Sequence, residues 1–352
     1  MIDKRLSLSS FLALRYTEKP NVDFTEKIHY RHPEMPSDEG RILIHTADDI
    51  GKALELQLDE KCSKYKKIGI FLSGGMDSSI LASYLPGIDA YTFRFLGGEF
   101  QQEEMHRAEA FADKNRMTLH YVDISWKTVT ENLKSVMLSK GGPVHSIEPQ
   151  ICQGAIQAKA DGVDLMIIGD ASDYIFGGMD KLLSKDWTFD AFVKRYIYID
   201  PFEVLKDPVS VQYVFERYRK GEDIDFVEIL EKLATQESYG SYDNAFATAG
   251  LDYFDPYEKL KMADPLDLVR IRKGESKYLI RELFRSRYPD FAVPEKIPMP
   301  RPVDTYFHDW NGPSRQEFRD DIDISKYDGN QRWLIWCLEQ FLNMVEEMEK
   351  EE

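Results

Sequence analysis

Apolar positions along the chain follow two regimes. Over residues 46–64, Ile50, Ala53, Leu54 and Leu56 recur at helical spacing, and Asp48 and Asp49 occupy the first turn, where carboxylates favour a helix N-terminus. A short run, Lys67-Ile68-Gly69-Ile70-Phe71-Leu72, then reads as a buried strand. It ends in Ser73-Gly74-Gly75-Met76-Asp77-Ser78-Ser79, after which residues 80–85 return to helical character. The same logic predicts strands over 90–95, 118–123 and 163–168, with a helix over 103–115. Strands alternating with helices predict an α/β fold built on a doubly wound parallel sheet, with ligands at the carboxyl ends of the strands. After about residue 186 the strand signals fade. Phe226, Ile229, Leu230 and Leu233 sit at helical spacing. Residues 331–347 form an apolar helix whose Trp333, Trp336, Leu338, Phe341 and Val345 read as core. Three regions follow: an irregular extension over 1–45, loop-rich across 17–40; an α/β core over 46–185; and a mainly helical, substrate-side region over 186–352, packed with the core as one unit.

Charge narrows the function. The chain has 352 residues and a formal net charge of −17, which argues against a nucleic-acid partner, since phosphate neutralisation needs a basic footprint. A local basic pocket for a phosphorylated ligand is compatible with that balance. No apolar run reaches the roughly 18 residues of a membrane span, and no apolar stretch behind Met1-Ile2-Asp3-Lys4-Arg5 suggests a secretory signal. Cys62, Cys152 and Cys337 lie far apart and form no CxxC pair. A disulfide framework or structural zinc is not expected, and a cytoplasmic location is. His106, His120, His145 and His308 follow no metal-ligand spacing and are read as solvated or hydrogen-bonded.

The chemistry concentrates in the loop between the first core strand and its helix. Gly74 and Gly75 let backbone N–H groups close on phosphate oxygens. The hydroxyls of Ser73, Ser78 and Ser79 add donors, the helix N-terminus adds partial positive charge, and Asp77 is placed to hold Mg²⁺. A plain glycine turn capped by serine is the alternative. A Walker A loop is excluded, because no Gly-Lys-Ser/Thr follows.

This loop resembles that of the PP-loop ATP pyrophosphatases, which cleave ATP between the α and β phosphates and adenylate a substrate. A second stretch, Ile168-Gly169-Asp170-Ala171-Ser172-Asp173-Tyr174-Ile175-Phe176-Gly177-Gly178, resembles the asparagine synthetase segment G-E-G-x-D-E-x-F-G-G. Asp170 stands where that family has a catalytic Glu, or Tyr in its β-lactam-forming branch. Asp173 falls on its second metal-binding Asp, and Tyr174 departs from its second Glu. Ala249-Gly250-Leu251-Asp252-Tyr253-Phe254-Asp255-Pro256-Tyr257 resembles the family's H-G-L-E-x-R-x-P-F-L-D loosely. Lys277-Tyr278-Leu279-Ile280-Arg281-Glu282-Leu283-Phe284 resembles K-x-x-L-R-E-A-F closely, and Pro294-Glu295-Lys296 falls where another family lysine lies.

The resemblance to the synthetase domain spans roughly residues 45–345. It implies ATP and Mg²⁺ as cofactors, with Asp77 and Asp173 at the metal and Lys277 and Lys296 at the triphosphate or reacting centre. It also implies adenine contacts from Phe71, Leu72 and the backbone of Phe95, with Gly169 beside the nucleotide and Asp170 as general base for an amine. The expected reaction is adenylation of a small-molecule or peptide carboxylate, then transfer to ammonia or an amine with release of AMP. A counterpart of the family's cysteine-nucleophile glutaminase domain is not expected here, and the nitrogen is expected from free ammonia, a separate glutaminase subunit or an amine substrate. Intramolecular amide cyclisation, a sulfur-transfer or RNA-modifying PP-loop activity and a non-catalytic nucleotide binder stay open as alternatives. So do the acceptor's identity and the oligomeric state, a homodimer among the arrangements.

Overall fold

The computed structural model describes residues 1–96, 102–295 and 301–350. Its centre is a strand that the apolar run above specifies, β2 (Ile68–Phe71), preceded by β1 (Ile42–Ile44) and followed by β3 (Asp89–Phe95), β4 (Thr118–Ile124), β5 (Leu165–Ile167), β6 (Asp252–Phe254) and β7 (Leu260–Met262). The main sheet runs β4-β3-β2-β5-β6, parallel throughout, with Ile70 opposite both Ala90 and Ile167 and Ile167 opposite Phe254. A smaller parallel pair joins β1 to β7.

Period-two alternation divides the side chains of this sheet between two cores. Ile70, Leu72, Leu165 and Ile167 face one, with Leu54 and Leu58 of α2 (Ala47–Cys62), Ile80 and Leu81 of α3 (Met76–Ala82), and Phe111 of α4 (Gln102–Lys114). Tyr91, Val122, Met166 and Ile168 face the other, which holds residues of α5 (Trp126–Lys140), α6 (Glu148–Ala160), α8 (Thr235–Ala249) and α10 (Gly329–Lys350). Both faces are covered, the condition that parallel sheets require. Helix α9 (Tyr278–Arg287) closes the first core with Leu279 and Phe284. A single helical turn, α7 (Ser172–Ile175), follows β5.

Two expectations are corrected. Residues 1–45 are not irregular throughout: α1 (Lys4–Leu14) opens the chain, capped by Asp3, whose carboxylate accepts from Leu6 N at 3.0 Å. Buried serines obscured it. Ser7, Ser9 and Ser10 are fully enclosed beside Leu8, Phe11 and Leu12, so the helix carries no polar face for a periodicity to register. The helical half also contributes β6 and β7, each three residues long and too short to display alternation. Within it, a five-residue π-helical turn, Leu230–Ala234, leads into α8.

Candidate functional site

The carboxyl ends of β2, β3 and β5 open onto a cavity of about 220 Å³. Its floor is the loop between β2 and α3, which is tightly self-bonded. Gly75 N donates to Ser73 Oγ at 3.3 Å, Ser73 N to Ser78 Oγ at 3.3 Å, and Ser79 Oγ to Gly75 O at 2.7 Å. The N–H groups of the first turn of α3 have no intrahelical acceptor, and they present a donor array to an anion. Gly74 has φ +76, and a Cβ there would lie 2.7 Å from Glu104 O and 2.9 Å from Ala108 N. The loop therefore rests on the backbone of α4 in a conformation that needs glycine. Phe71, Tyr91 and Phe93 wall one side, with Phe71 and Phe93 ring centroids 5.2 Å apart. That apolar face suits a planar heterocycle.

Opposite stands an ionic triad drawn from three distant segments. Lys277 Nζ lies 2.5 Å from Asp77 Oδ2 and 2.8 Å from Asp173 Oδ1, and Ser172 Oγ donates to Asp77 Oδ1 at 2.6 Å. Lys277 is 3% exposed. Burial alone would depress its pKa, but Asp173 and Asp77 outweigh burial and hold it above the ordinary lysine value. Its backbone is left-handed, φ +54, at the start of α9. For a non-glycine residue this costs about 1 kcal/mol or more, and such strain persists where the surroundings over-determine it. Here two ion pairs do so. Asp173 is accommodated because Gly178 lacks a Cβ that would collide with its carboxylate.

Asp170 lies on the other flank, at the end of β5. Asp255 Oδ2 accepts from both Asp170 N and Ala171 N at 2.8 Å, which fixes the turn. The Asp170 side chain accepts a short hydrogen bond from Ser238 Oγ on α8. Burial pushes the Asp170 carboxyl up to about 8. The Ser238 hydrogen bond opposes this, and Asp255, Asp173 and Glu237 reinforce it. A carboxyl so placed exchanges a proton near neutral pH, the property of a general base.

The structure thus brings Phe71, Leu72, Ser73, Gly74, Gly75, Asp77, Ser78, Gly169, Asp170, Asp173 and Lys277 to one cavity. Ser79 turns its hydroxyl back onto Gly75. Phe95 lies outside the lining: the strand reaches the cavity at Tyr91, Thr92 and Phe93, and the Phe95 side chain belongs to the second core. Lys296 lies outside the described residues. Sequence reasoning passed over Ser172, Ser238 and Arg107. Arg107 lines the cavity from α4, donates to Glu295 O at 3.0 Å, and keeps Nε and Nη2 buried without hydrogen-bond partners among the described residues. No motif flags any of these three; only their approach in space does.

The donor set fits Mg²⁺. The carboxylates of Asp77 and Asp173 meet at Lys277 Nζ, and this ion, commonly held by one or two carboxylates together with substrate phosphate oxygens, would draw on the same pair. Among the described residues no three His, Cys, Asp or Glu side chains converge as an all-protein metal site, and a bound Mg²⁺ would take the rest of its shell from water and substrate oxygens. No helix among the described residues is long and apolar enough to cross a membrane.

The family model described as asparagine synthase matches residues 49–241, more than half of the chain. A search of curated proteins returns no match. Among solved structures, NMN synthetase from Francisella tularensis aligns at 12% identity over 72% of this chain and 100% of its own, with a TM-score of 0.30. NH3-dependent NAD synthetase from Campylobacter jejuni subsp. jejuni aligns at 11% identity over 56% of this chain and 96% of its own, TM-score 0.30. Glutamine-dependent NAD+ synthetase from Acinetobacter baumannii aligns at 17% over 74% of this chain and 48% of its own, TM-score 0.29. Likeness at this level does not extend to a substrate.

Proposed function

The chain belongs to the asparagine synthase family, and from that premise we propose that it is an ATP-dependent amide-forming ligase that adenylates a substrate carboxylate and then passes the acyl group to ammonia or an amine. The observation that carries this is the convergence of Asp77, Asp173 and Lys277 above a glycine loop at the end of β2. The loop N–H groups cradle phosphate oxygens, and the Phe71–Phe93 wall takes the adenine ring. Asp77 and Asp173 would hold Mg²⁺, which when bound offsets phosphate charge. Lys277 adds a fixed cation where negative charge grows as pyrophosphate departs. In the second step the amine nitrogen attacks the acyl carbon, AMP leaves, and Asp170 accepts the proton. Product analysis tests the first step. ATP consumed with the cognate acid should appear as AMP and pyrophosphate. ADP and phosphate in equal amounts would remove the assignment.

A further inference from the structure

Joined to Asp170 through Ser238 on α8 is a second ionic cluster that adenylation does not use. Its anchor is Glu237, the neighbour of Ser238 on α8. Arg15, just past the end of α1, places Nη2 3.2 Å from Glu237 Oε2, and its guanidinium lies over the Tyr198 ring, 5.0 Å from the centroid. His145 Nε2 lies 3.6 Å from Glu237 Oε1. Arg301 Nη1 lies 3.2 Å from the same His145 nitrogen and 3.4 Å from Ser146 Oγ.

The charges of this cluster do not balance. Arg15 is matched by Glu237. Arg301 has no carboxylate within ion-pair distance among the described residues, and its two partners are neutral. Burial, then Arg301, Arg15 and Lys140, push the His145 pKa well below its ordinary value, so the imidazole beside Arg301 is neutral. Burial also presses the Arg301 pKa down, yet a guanidinium does not give up its proton in a protein. Glu237 and Asp328 act on Arg301 only from beyond ion-pair distance, and a half-buried, permanent cation whose hydrogen-bond partners are neutral is stabilised by an incoming anion. Its planar fork matches a carboxylate.

Position says which substrate brings that anion. The cluster is joined to Asp170 through consecutive residues, Glu237 and Ser238, and none of Arg15, His145, Glu237 or Arg301 lines the nucleotide cavity. Asp170 takes the proton of the attacking amine, so the cluster joined to it belongs to the amine. We propose that Arg301, steadied by His145 and Ser146, binds a carboxylate carried by the nucleophile, so that the amine acceptor is an amino acid and not ammonia. The N–C bond forms as the acyl–oxygen bond to AMP breaks. AMP leaves with the electron pair, and the proton on nitrogen passes to Asp170. The inference rests on the ligase assignment for its chemistry, but the subsite can be read by binding alone.

The test uses the full chain with ATP and Mg²⁺ present and measures binding of glycine, β-alanine, 4-aminobutyrate and 5-aminovalerate against the alkylamine of equal carbon number. At least one amino acid should bind about tenfold or more tightly than its alkylamine, as expected for a charge-assisted contact. Arg301→Gln should bring that pair to within about twofold, Arg301→Lys should keep part of the difference, and ATP affinity should be unchanged in both variants. Equal binding of amino acids and alkylamines in the wild-type chain overturns the proposal, and that comparison needs no variant to fold. A preference that survives Arg301→Gln overturns it as well. If the matching aminoalkylphosphonate binds about tenfold more tightly than every amino acid, the anion is a phosphate and the carboxylate assignment is wrong. If amino acids bind in an Arg301-dependent way but ATP is never converted to AMP, the subsite stands and the ligase assignment fails.

Discussion

Asp170 is the residue whose environment has the most measurable consequences. With its carboxyl near 8, the base form is the minor species at pH 7. Amide formation should rise about tenfold per pH unit below that value and level above it. Ser238→Ala removes the hydrogen bond that holds the carboxyl down, so the midpoint should move to higher pH. Asp170→Asn should slow amide formation by about 10²–10⁴-fold and leave pyrophosphate exchange into ATP intact; loss of exchange would move Asp170 into the phosphate site. Stability carries the same signature. Between its ordinary value near 3.8 and about 8, the native carboxyl holds a proton that the unfolded one has released. The unfolded state then binds fewer protons, and this group withdraws stability as pH rises through that window. The melting temperature of Asp170→Asn relative to wild type should therefore climb from pH 5 to pH 8. Lys277 makes a second case. Lys277→Met strands two carboxylates, and because both are partly exposed the cost should be about 2 kcal/mol, below the figure for a fully buried pair. Millimolar Mg²⁺ should then raise the melting temperature of the variant more than that of wild type. An equal response would mean that Asp77 and Asp173 do not form the metal site.

At the scale of elements, the loop between β2 and α3 depends on its contact with α4. Gly74 meets the backbone of α4 at the carbonyl of Glu104 and the amide of Ala108. Gly74→Ala adds a collision with main chain to a left-handed strain, and should cost about 2 kcal/mol and weaken ATP binding. Gly75→Ala is the control. Its φ of −82 suits any residue, and its Cβ would meet only Ser73 Oγ, at 3.3 Å. It should melt within about 1 kcal/mol of wild type. Similar melting curves for the two variants would show that the loop does not lean on α4. The motif was legible as a glycine turn between a strand and a helix. That Gly74 alone answers to both the turn and the helix behind it was not, because α4 reaches the loop only through the crossover from β3.

The whole molecule decides which chemistry the chain can supply alone. Its three thiols are poor nucleophiles. Burial pushes Cys62 and Cys152 up to about 11, and Cys337 is raised as well, buried and donating to Val144 O at 3.3 Å. The thiolate is the attacking form, so this chain should release no glutamate from glutamine, with or without ATP. Release of glutamate by the purified chain would refute this. The sandwich of one sheet between two helical layers also explains how Asp77, Asp173 and Lys277 meet. The first two leave neighbouring strands, β2 and β5, at their carboxyl ends, and α9 packs across the first core to bring the lysine over them.

Local order was written in the chain. The run 67–72, the loop from Ser73 to Ser79 and the helix over 331–347 follow from apolar periodicity and turn chemistry, which act between near neighbours. So do the motif residues Asp77, Asp170, Asp173 and Lys277, whose types and spacing carry the family pattern. Tertiary structure decided what those residues touch. The Lys277 ion pairs close over 200 and 104 positions, Ser238 reaches Asp170 over 68, and Arg301 reaches His145 over 156. No local signal marks such partners, because their energy exists only after packing has excluded water and brought the charges together.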